Sequence, residues 1–488
     1  MNYYHKTTLL LPLLLLTACS VKEQTAEQLA MPAPIWPDYA DVTLPINLAP
    51  IRFAVSDSCS LQQIQAVFEV GTEKEVVKAH DGEIAIAPKD WDRLKKAGME
   101  VNVRIQGQKE GKWVEFAPFT LHLSADEVDP WIAYRLIEPG YEVWSEMGIY
   151  QRCLENYDEK AILTNRQTDG GCMNCHSFNQ RNPEQMLMHL RQACGGTYIA
   201  KEGKLEKLNT KTPETISALV YPFWHPDGRY VAFSTNDTKQ AFHSTHPNRI
   251  EVFDRKSDVV IYDTEQHEVF SCPQLKSEKA FETFPSFSPD GSRLYYCSAD
   301  SVNMSTSYDS VHYSLCSLAF DAPTRSFGND VDTLYNARTE GGSISFPRIS
   351  PDGRWLMYTR HSYGNFSIWH KEADLWMIDL ASPDKVHRCL DEINSNDVDS
   401  YHSWSSNGRW VIFSSRRIDG LYTRLYLTHL ADDGTFSKPA LLPQHDVHYY
   451  DRLMKSYNIP EFVQGKVQVN GLEQLAKEGK GIDLHYVQ

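Results

Sequence analysis

Tyr221-Pro222-Phe223-Trp224-His225-Pro226-Asp227-Gly228-Arg229-Tyr230-Val231-Ala232-Phe233-Ser234 decides the fold, because three further segments align with it: Phe284 to Ser298, Phe346 to Arg360 and Tyr401 to Ser415. In each copy Pro-Asp-Gly, or Asn407-Gly408 in the last, separates two apolar runs. Proline presets φ, Asp or Asn bonds the local backbone and Gly takes the strained exit, so every copy reads as strand, tight turn, strand. A second hairpin follows each: Asp258 to Asp263 with Glu268 to Ser271, Tyr313 to Phe320 with Asp332 to Tyr335, Asp374 to Leu380 with Val386 to Leu390, and Arg424 to Leu430 with Thr435 to Leu442. Four strands per unit, recurring every 55 to 63 residues, predict propeller blades rather than unrelated hairpins that share a turn.

The repeated motif resembles the PD40 repeats of TolB-type propellers, over about Gly195 to Gln444. That resemblance implies protein or ligand binding on one face of the disc and no catalysis. Thr197 to Asn209 reads as the second half of a further blade, so about five four-stranded blades are expected, the fifth closed by the C-terminal segment. The propeller is placed at residues 195–446 and the closing segment at 447–488. Peptidases that carry propellers add an α/β-hydrolase domain with a Gly-x-Ser-x-Gly elbow. None follows the repeats, and the sequence therefore excludes a serine peptidase.

Working outward, the aromatic content (20 Phe, 25 Tyr and 11 Trp in 488 residues) suits an all-β chain. The formal charge of −16 opposes a grip on phosphate backbone, so no nucleic-acid partner is expected. His5 and Lys6 precede the apolar run Leu9 to Leu16, which is too short to span a bilayer and reads as a signal peptide over 1–18. The run ends in Leu16-Thr17-Ala18-Cys19, which resembles the lipobox of bacterial lipoproteins. The resemblance implies lipidation of Cys19, a membrane partner and an outer-membrane lipoprotein, periplasmic or surface-facing. A proline-rich tether over 19–44 follows. Short β-type runs from Ile51 to Leu123 predict an immunoglobulin-like sandwich over 45–125, a spacer or docking module without catalytic side chains.

Residues 126–194 are expected to form a linker, and the chemistry sits there. Gly170-Gly171-Cys172-Met173-Asn174-Cys175-His176 contains Cys-x-x-Cys-His, the attachment signature of c-type haem, with Cys172 and Cys175 as thioethers and His176 as proximal ligand. The likeness to cytochromes c is confined to this pentapeptide. A redox disulfide between Cys172 and Cys175 and a zinc site completed by Cys194 or His189 are the competing readings. Asn182-Pro183 reads as the start of a short helix over Gln185 to Gln192. The distal-ligand candidates are His189, Met188, Met186 and His243, in that order, and Arg191 is a candidate partner for a haem propionate. The remaining seven cysteines are odd in number. Cys153 with Cys194 and Cys297 with Cys316 are conceivable pairs.

The function expected from these readings is electron transfer or redox sensing with a protein partner, by a non-enzymatic envelope lipoprotein carrying one covalent haem c. The alternative is a TolB-like binding or assembly lipoprotein in which haem is structural or absent, and a third reading, a haem enzyme such as a peroxidase, needs an open distal position with an acid-base group.

Overall fold

A computed structural model describes residues 22–139 and 145–487. Cys19 and the signal segment lie outside the described residues. The chain is mostly β, and six sheets with four blade strands each form the propeller. Blades 3 to 6 are those of the aligned repeats: they begin with the inner strands Leu219–Trp224, Ala280–Phe287, Ser343–Ile349 and Asp399–Trp404. Blade 2 runs Met173–Phe178, Met186–Leu190, Gly196–Lys201 and Lys204–Asn209. Blade 1 combines Trp131–Ile137, Gly148–Cys153 and Glu159–Thr164 with Ser456–Val463 from the far end of the chain. Ser456–Val463 lies antiparallel to Trp131–Ile137 as the inner strand, and successive inner strands touch one another around the ring. Two short tail strands, Ile482–Asp483 and His485–Tyr486, then extend the outer edges of blades 2 and 3.

Turn chemistry explains why blades 3 to 6 are so alike. Asp227, Asp352 and Asn407 each accept a hydrogen bond at Oδ1 from the backbone N–H two residues on, at 2.8, 3.0 and 3.1 Å. Gly228, Gly353 and Gly408 follow with φ of 72°, 75° and 68°, where a Cβ is strained. Ser350 and Ser405 close their turns by accepting from the N–H of Trp355 and Trp410 at 2.9 and 3.0 Å.

Several expectations are corrected. There are six blades among the described residues, not about five, because segment 126–194 is not a linker: its strands build blade 1 and the inner half of blade 2. The expected helix over Gln185 to Gln192 is the strand Met186–Leu190, fully buried between Met173–Phe178 and Gly196–Lys201. A buried segment flanked by two strands satisfies its backbone in the ladder, which overrides the local capping signal. The tether ends earlier than position 44, since Glu27–Pro32, Ile35–Trp36 and Thr43–Pro45 are already strands of the N-terminal unit.

That unit packs a seven-stranded and a three-stranded sheet, with helix Pro88–Ala97 burying Trp91 and Leu94. Its core is continuous with that of blade 6: Phe53, Phe68 and Phe116 share one cluster with Trp410 and Leu441. Trp410 Nε1 donates to the Asp126 carbonyl at 2.8 Å and Tyr39 Oη to the Leu441 carbonyl at 3.1 Å. None of the eight cysteines whose side chains are described is joined to another of them by a disulfide, so Cys153 and Cys194 are not paired here. Cys297 and Cys316 are not opposite each other, since Cys316 pairs with Tyr296, and they belong to separate cores.

Candidate functional site: a chamber bounded by the blades

Each inner strand breaks register at two residues. In blades 3 to 6 and 1 the breaks fall on Tyr221-Pro222, Phe284-Pro285, Phe346-Pro347, Tyr401-His402 and Ile459-Pro460. The first residue of each pair has φ between 47° and 54°, a left-handed conformation that non-glycine residues adopt only when packing holds them. Packing does hold them. The rings of Tyr221, Phe284, Phe346 and Tyr401 follow one another at centroid distances of 4.6, 4.2 and 4.9 Å. In blade 2 the break falls on Cys175-His176. The Cys-x-x-Cys-His motif therefore occupies the register position that aromatic or aliphatic residues hold in every other blade.

His176 and His402 are counterparts in this frame. His402 is buried, its Nε2 lies 3.0 Å from the Met357 carbonyl of the preceding blade, and burial pushes it down to about 3. His176 is buried against the preceding blade as well, held by the backbone carbonyls of Ala133 and Ile459. Burial, and then the charge of Arg135, lower it to about 4. The two differ in the nitrogen left over. His402 leaves Nδ1 without a partner, and His176 leaves Nε2.

Beside this position lies a cavity of about 950 Å³ to which blades 1, 2, 3, 5 and 6 contribute side chains. Blade 2 supplies Cys172, Asn174, His189 and Arg191. Asn174 pairs with His189 across the two inner strands, and the Arg191 N–H donates to the Cys172 carbonyl at 2.8 Å. Residues directly opposite in an antiparallel ladder share a face, which places these four side chains on one patch. His189 Nδ1 lies 3.0 Å from Thr197 Oγ1, so Nε2 is the nitrogen left for a ligand. Burial and the Arg191 charge push this histidine down to about 4 and keep it neutral at pH 7.

The remaining walls are mixed: Arg135 and Arg416 are cationic, Glu138 and Asp237 acidic, Ser217, Asn236 and Asn458 polar, and Phe366, Ile368 and Trp369 apolar. Arg135 donates to Asn174 Oδ1 at 2.7 Å, and Phe366, Ile368 and Trp369 from blade 5 face Arg416 from blade 6. The long hairpin Tyr230–Phe242 and Ile250–Asp263 closes another side. It is pinned to blade 5, since Asp254 accepts from Asn365 and Glu251 from Tyr363, both at 2.6 Å, while Asn236 within the hairpin also donates to Asp254 at 2.6 Å.

The structure thus gathers Cys172, His189 and Arg191 at the chamber and sets His176 behind its wall. The side chain of Cys175 lies outside the described residues. Met186 and Met188 point into the blade core with Leu190 and Met173, not into the chamber. His243 stands at the hairpin end beside His246, ring centroids 5.3 Å apart, and does not line the chamber. Sequence reasoning missed Arg135, Trp369 and Arg416. The available signal was the repeat itself: Arg416 takes the position held by Asn236, Ala299 and His361 in the other three copies.

No described protein family and no curated protein matches the sequence. Solved structures with some likeness include puromycin hydrolase, at 12% identity and a TM-score of 0.38 over 64% of this chain and 45% of that one. Prolyl oligopeptidase B from Galerina marginata follows at 10% identity and a TM-score of 0.33, over 71% and 50%. A DUF4784 family protein from Bacteroides caccae has 8% identity and a TM-score of 0.32, over 87% and 98%. The chain spans half or less of the length of the two enzymes. These likenesses are too remote to carry the activity of any of them across.

The similar structures named for an activity are hydrolases or peptidases. Among the described residues, moreover, no group of three or more His, Cys, Asp or Glu is gathered as a metal cluster. The expectations of electron transfer or redox sensing, of a non-enzymatic binding lipoprotein, and of a chain without enzymatic activity are set aside on these findings.

Proposed function

We propose that the protein is an enzyme whose reaction takes place in the chamber between the blades, with haem c joined to Cys172 and Cys175 as its prosthetic group. The observation that carries this reading is the chamber itself: about 950 Å³, apolar on one side, and lined by Cys172 on the other. Of the motif, Cys172 lines the chamber and His176 stands behind its wall as the residue that would ligate the iron. A histidine that ligates a metal characteristically gives its other ring nitrogen to a carbonyl or carboxylate, and His176 has carbonyl partners while its buried Nε2 has none. When bound, haem supplies one-electron and peroxide chemistry that protein side chains lack.

The residues of the chain have other tasks. Asn174 orients Arg135, the pinned hairpin excludes water, and neutral His189 accepts a proton at Nε2 from a substrate in the chamber. This role differs from that of a carrier, because the substrate must enter and react within the chamber. We further propose that the N-terminal unit is immunoglobulin-like, that the ring is TolB-like, and that lipid on Cys19 holds both at the outer membrane.

The test is turnover. Full-length protein matured in a host with haem-attachment machinery is given hydrogen peroxide and p-hydroxyphenylacetate. Saturable oxidation that falls at least about tenfold in His189→Ala at an unchanged haem content supports the reading. A rate no higher than that of free haem at equal concentration overturns it.

A further inference from the structure

Arg416 is a buried cation without a counter-ion. It is 4% exposed, its guanidinium stacks 3.4 Å from the centroid of the Trp369 ring, and its Nε has no hydrogen-bond partner. Among the described residues no carboxylate lies within ion-pairing distance of it. Burial lowers it to about 9, against weak support from Tyr401, Asp397 and Asp419 and opposition from Arg249.

Its neighbours in sequence and space are treated differently. Arg417 reaches Asp399 at 2.6 Å, and Arg424 donates to the carbonyls of Lys455, Leu453 and Tyr450 at 2.6, 2.9 and 3.2 Å. Burying a guanidinium unpaired costs several kcal/mol even after relaxation. The backbone nonetheless fixes Arg416 in place, because its N–H donates to the Val398 carbonyl at 3.0 Å and its carbonyl accepts from Gly420 at 2.8 Å. A guanidinium stacked over an indole keeps the N–H groups of its edge as donors, and Arg416 is part of the chamber wall.

We propose that Arg416, braced on Trp369, is a carboxylate-binding subsite of the chamber, for ligands whose carboxylate pairs with the guanidinium while an apolar body lies against Phe366, Ile368 and Val220. The inference rests on the chamber being the functional site. Its substrate class is therefore an aryl or alkyl carboxylate. The same chemistry is offered by a free carboxylate and by a haem propionate, and one experiment separates them.

Calorimetric titration with 3-phenylpropionate and its neutral amide is run on two full-length forms: protein matured with haem, and Cys172→Ala/Cys175→Ala protein, to which haem cannot be linked. Arg416→Met and Arg416→Lys are made in both. The haem-free form is expected to bind the carboxylate at least about tenfold more tightly than the amide, with the preference lost in Arg416→Met and partly kept in Arg416→Lys. The same preference in the matured form identifies a free carboxylate as the ligand. Its loss there, with a Soret shift caused by Arg416→Met, identifies a propionate. Equal binding of carboxylate and amide by the haem-free form, or no binding of either, overturns the proposal. That arm is independent of haem attachment and of turnover. Arg416→Met is also expected to melt no lower than the parent, since it removes an unpaired buried charge, and a lower melting temperature would assign Arg416 a structural role instead.

Discussion

Blades 2 and 6 place the same backbone break at the same point of the ring and put different chemistry on it. Tyr401-His402 stacks its tyrosine on Phe346 and ties its histidine to the Met357 carbonyl. Cys175-His176 keeps the buried histidine, drops the aromatic residue, and stands beside Cys172 and the chamber. A repeat position whose ordinary task is to hold neighbouring blades together has been given a second use in one blade, and the scaffold tolerates it because the other positions keep their packing.

The largest expected effect comes from removing what both histidines depend on, an intact ring. A chain ended after Lys455 lacks Ser456–Val463, the inner strand of blade 1 and the source of the Ile459 carbonyl at His176. It is expected to lose its cooperative thermal transition altogether. Less severe is Phe346→Ala, which empties the middle of the aromatic run beside Tyr401 and should cost about 3–5 kcal/mol in urea unfolding.

The pH dependence of the two histidines gives a sharper comparison. Both are held below the value they have in the unfolded chain, so the unfolded state binds the proton first, and stability is lost as pH falls from about 6.5 toward 4 for His176 and toward 3 for His402. Each should contribute about 2–3 kcal/mol of the loss between pH 7 and 4.5. His402→Asn and His176→Asn should each remove a similar share of that slope in unfolding experiments on haem-free protein. A slope unchanged by His176→Asn would break the equivalence. The smallest effect concerns the turn that follows. Blades 3 to 6 put the left-handed residue of that turn on glycine, whereas blade 2 turns differently, through Gln180 at φ 44° and Arg181 at φ 64°. Gln180→Gly should raise stability by about 0.5 kcal/mol, read as a shifted urea midpoint.

The same contrast explains what the sequence disclosed. Blades 3 to 6 were legible because Pro-Asp-Gly marks a turn with a fixed backbone conformation. Blades 1 and 2 lack that turn, yet Asn458-Ile459-Pro460-Glu461-Phe462 and Asn174-Cys175-His176-Ser177-Phe178 carry the inner-strand pattern in a form that only register reveals. Blade 1 was hidden for a further reason: its inner strand is more than 300 residues from its partner Trp131–Ile137, and no local signal encodes such a pairing. Cys172 and His189 were picked out from residue type and spacing, and both line the chamber. Met186 and Met188 were chosen for their chemistry, but strand alternation turns them into the core. Arg416 was invisible, because an arginine at a strand end reads as solvated until the chamber around it is built.

The central claim, that the chamber carries a haem linked through blade 2, is tested most directly by the mass of the tryptic peptide that contains Cys172 and Cys175, from protein matured with haem-attachment machinery. The account predicts that peptide with one haem added, and the bare peptide from the Cys172→Ala/Cys175→Ala variant. The unmodified dithiol peptide, or one bridged by a disulfide, would contradict it.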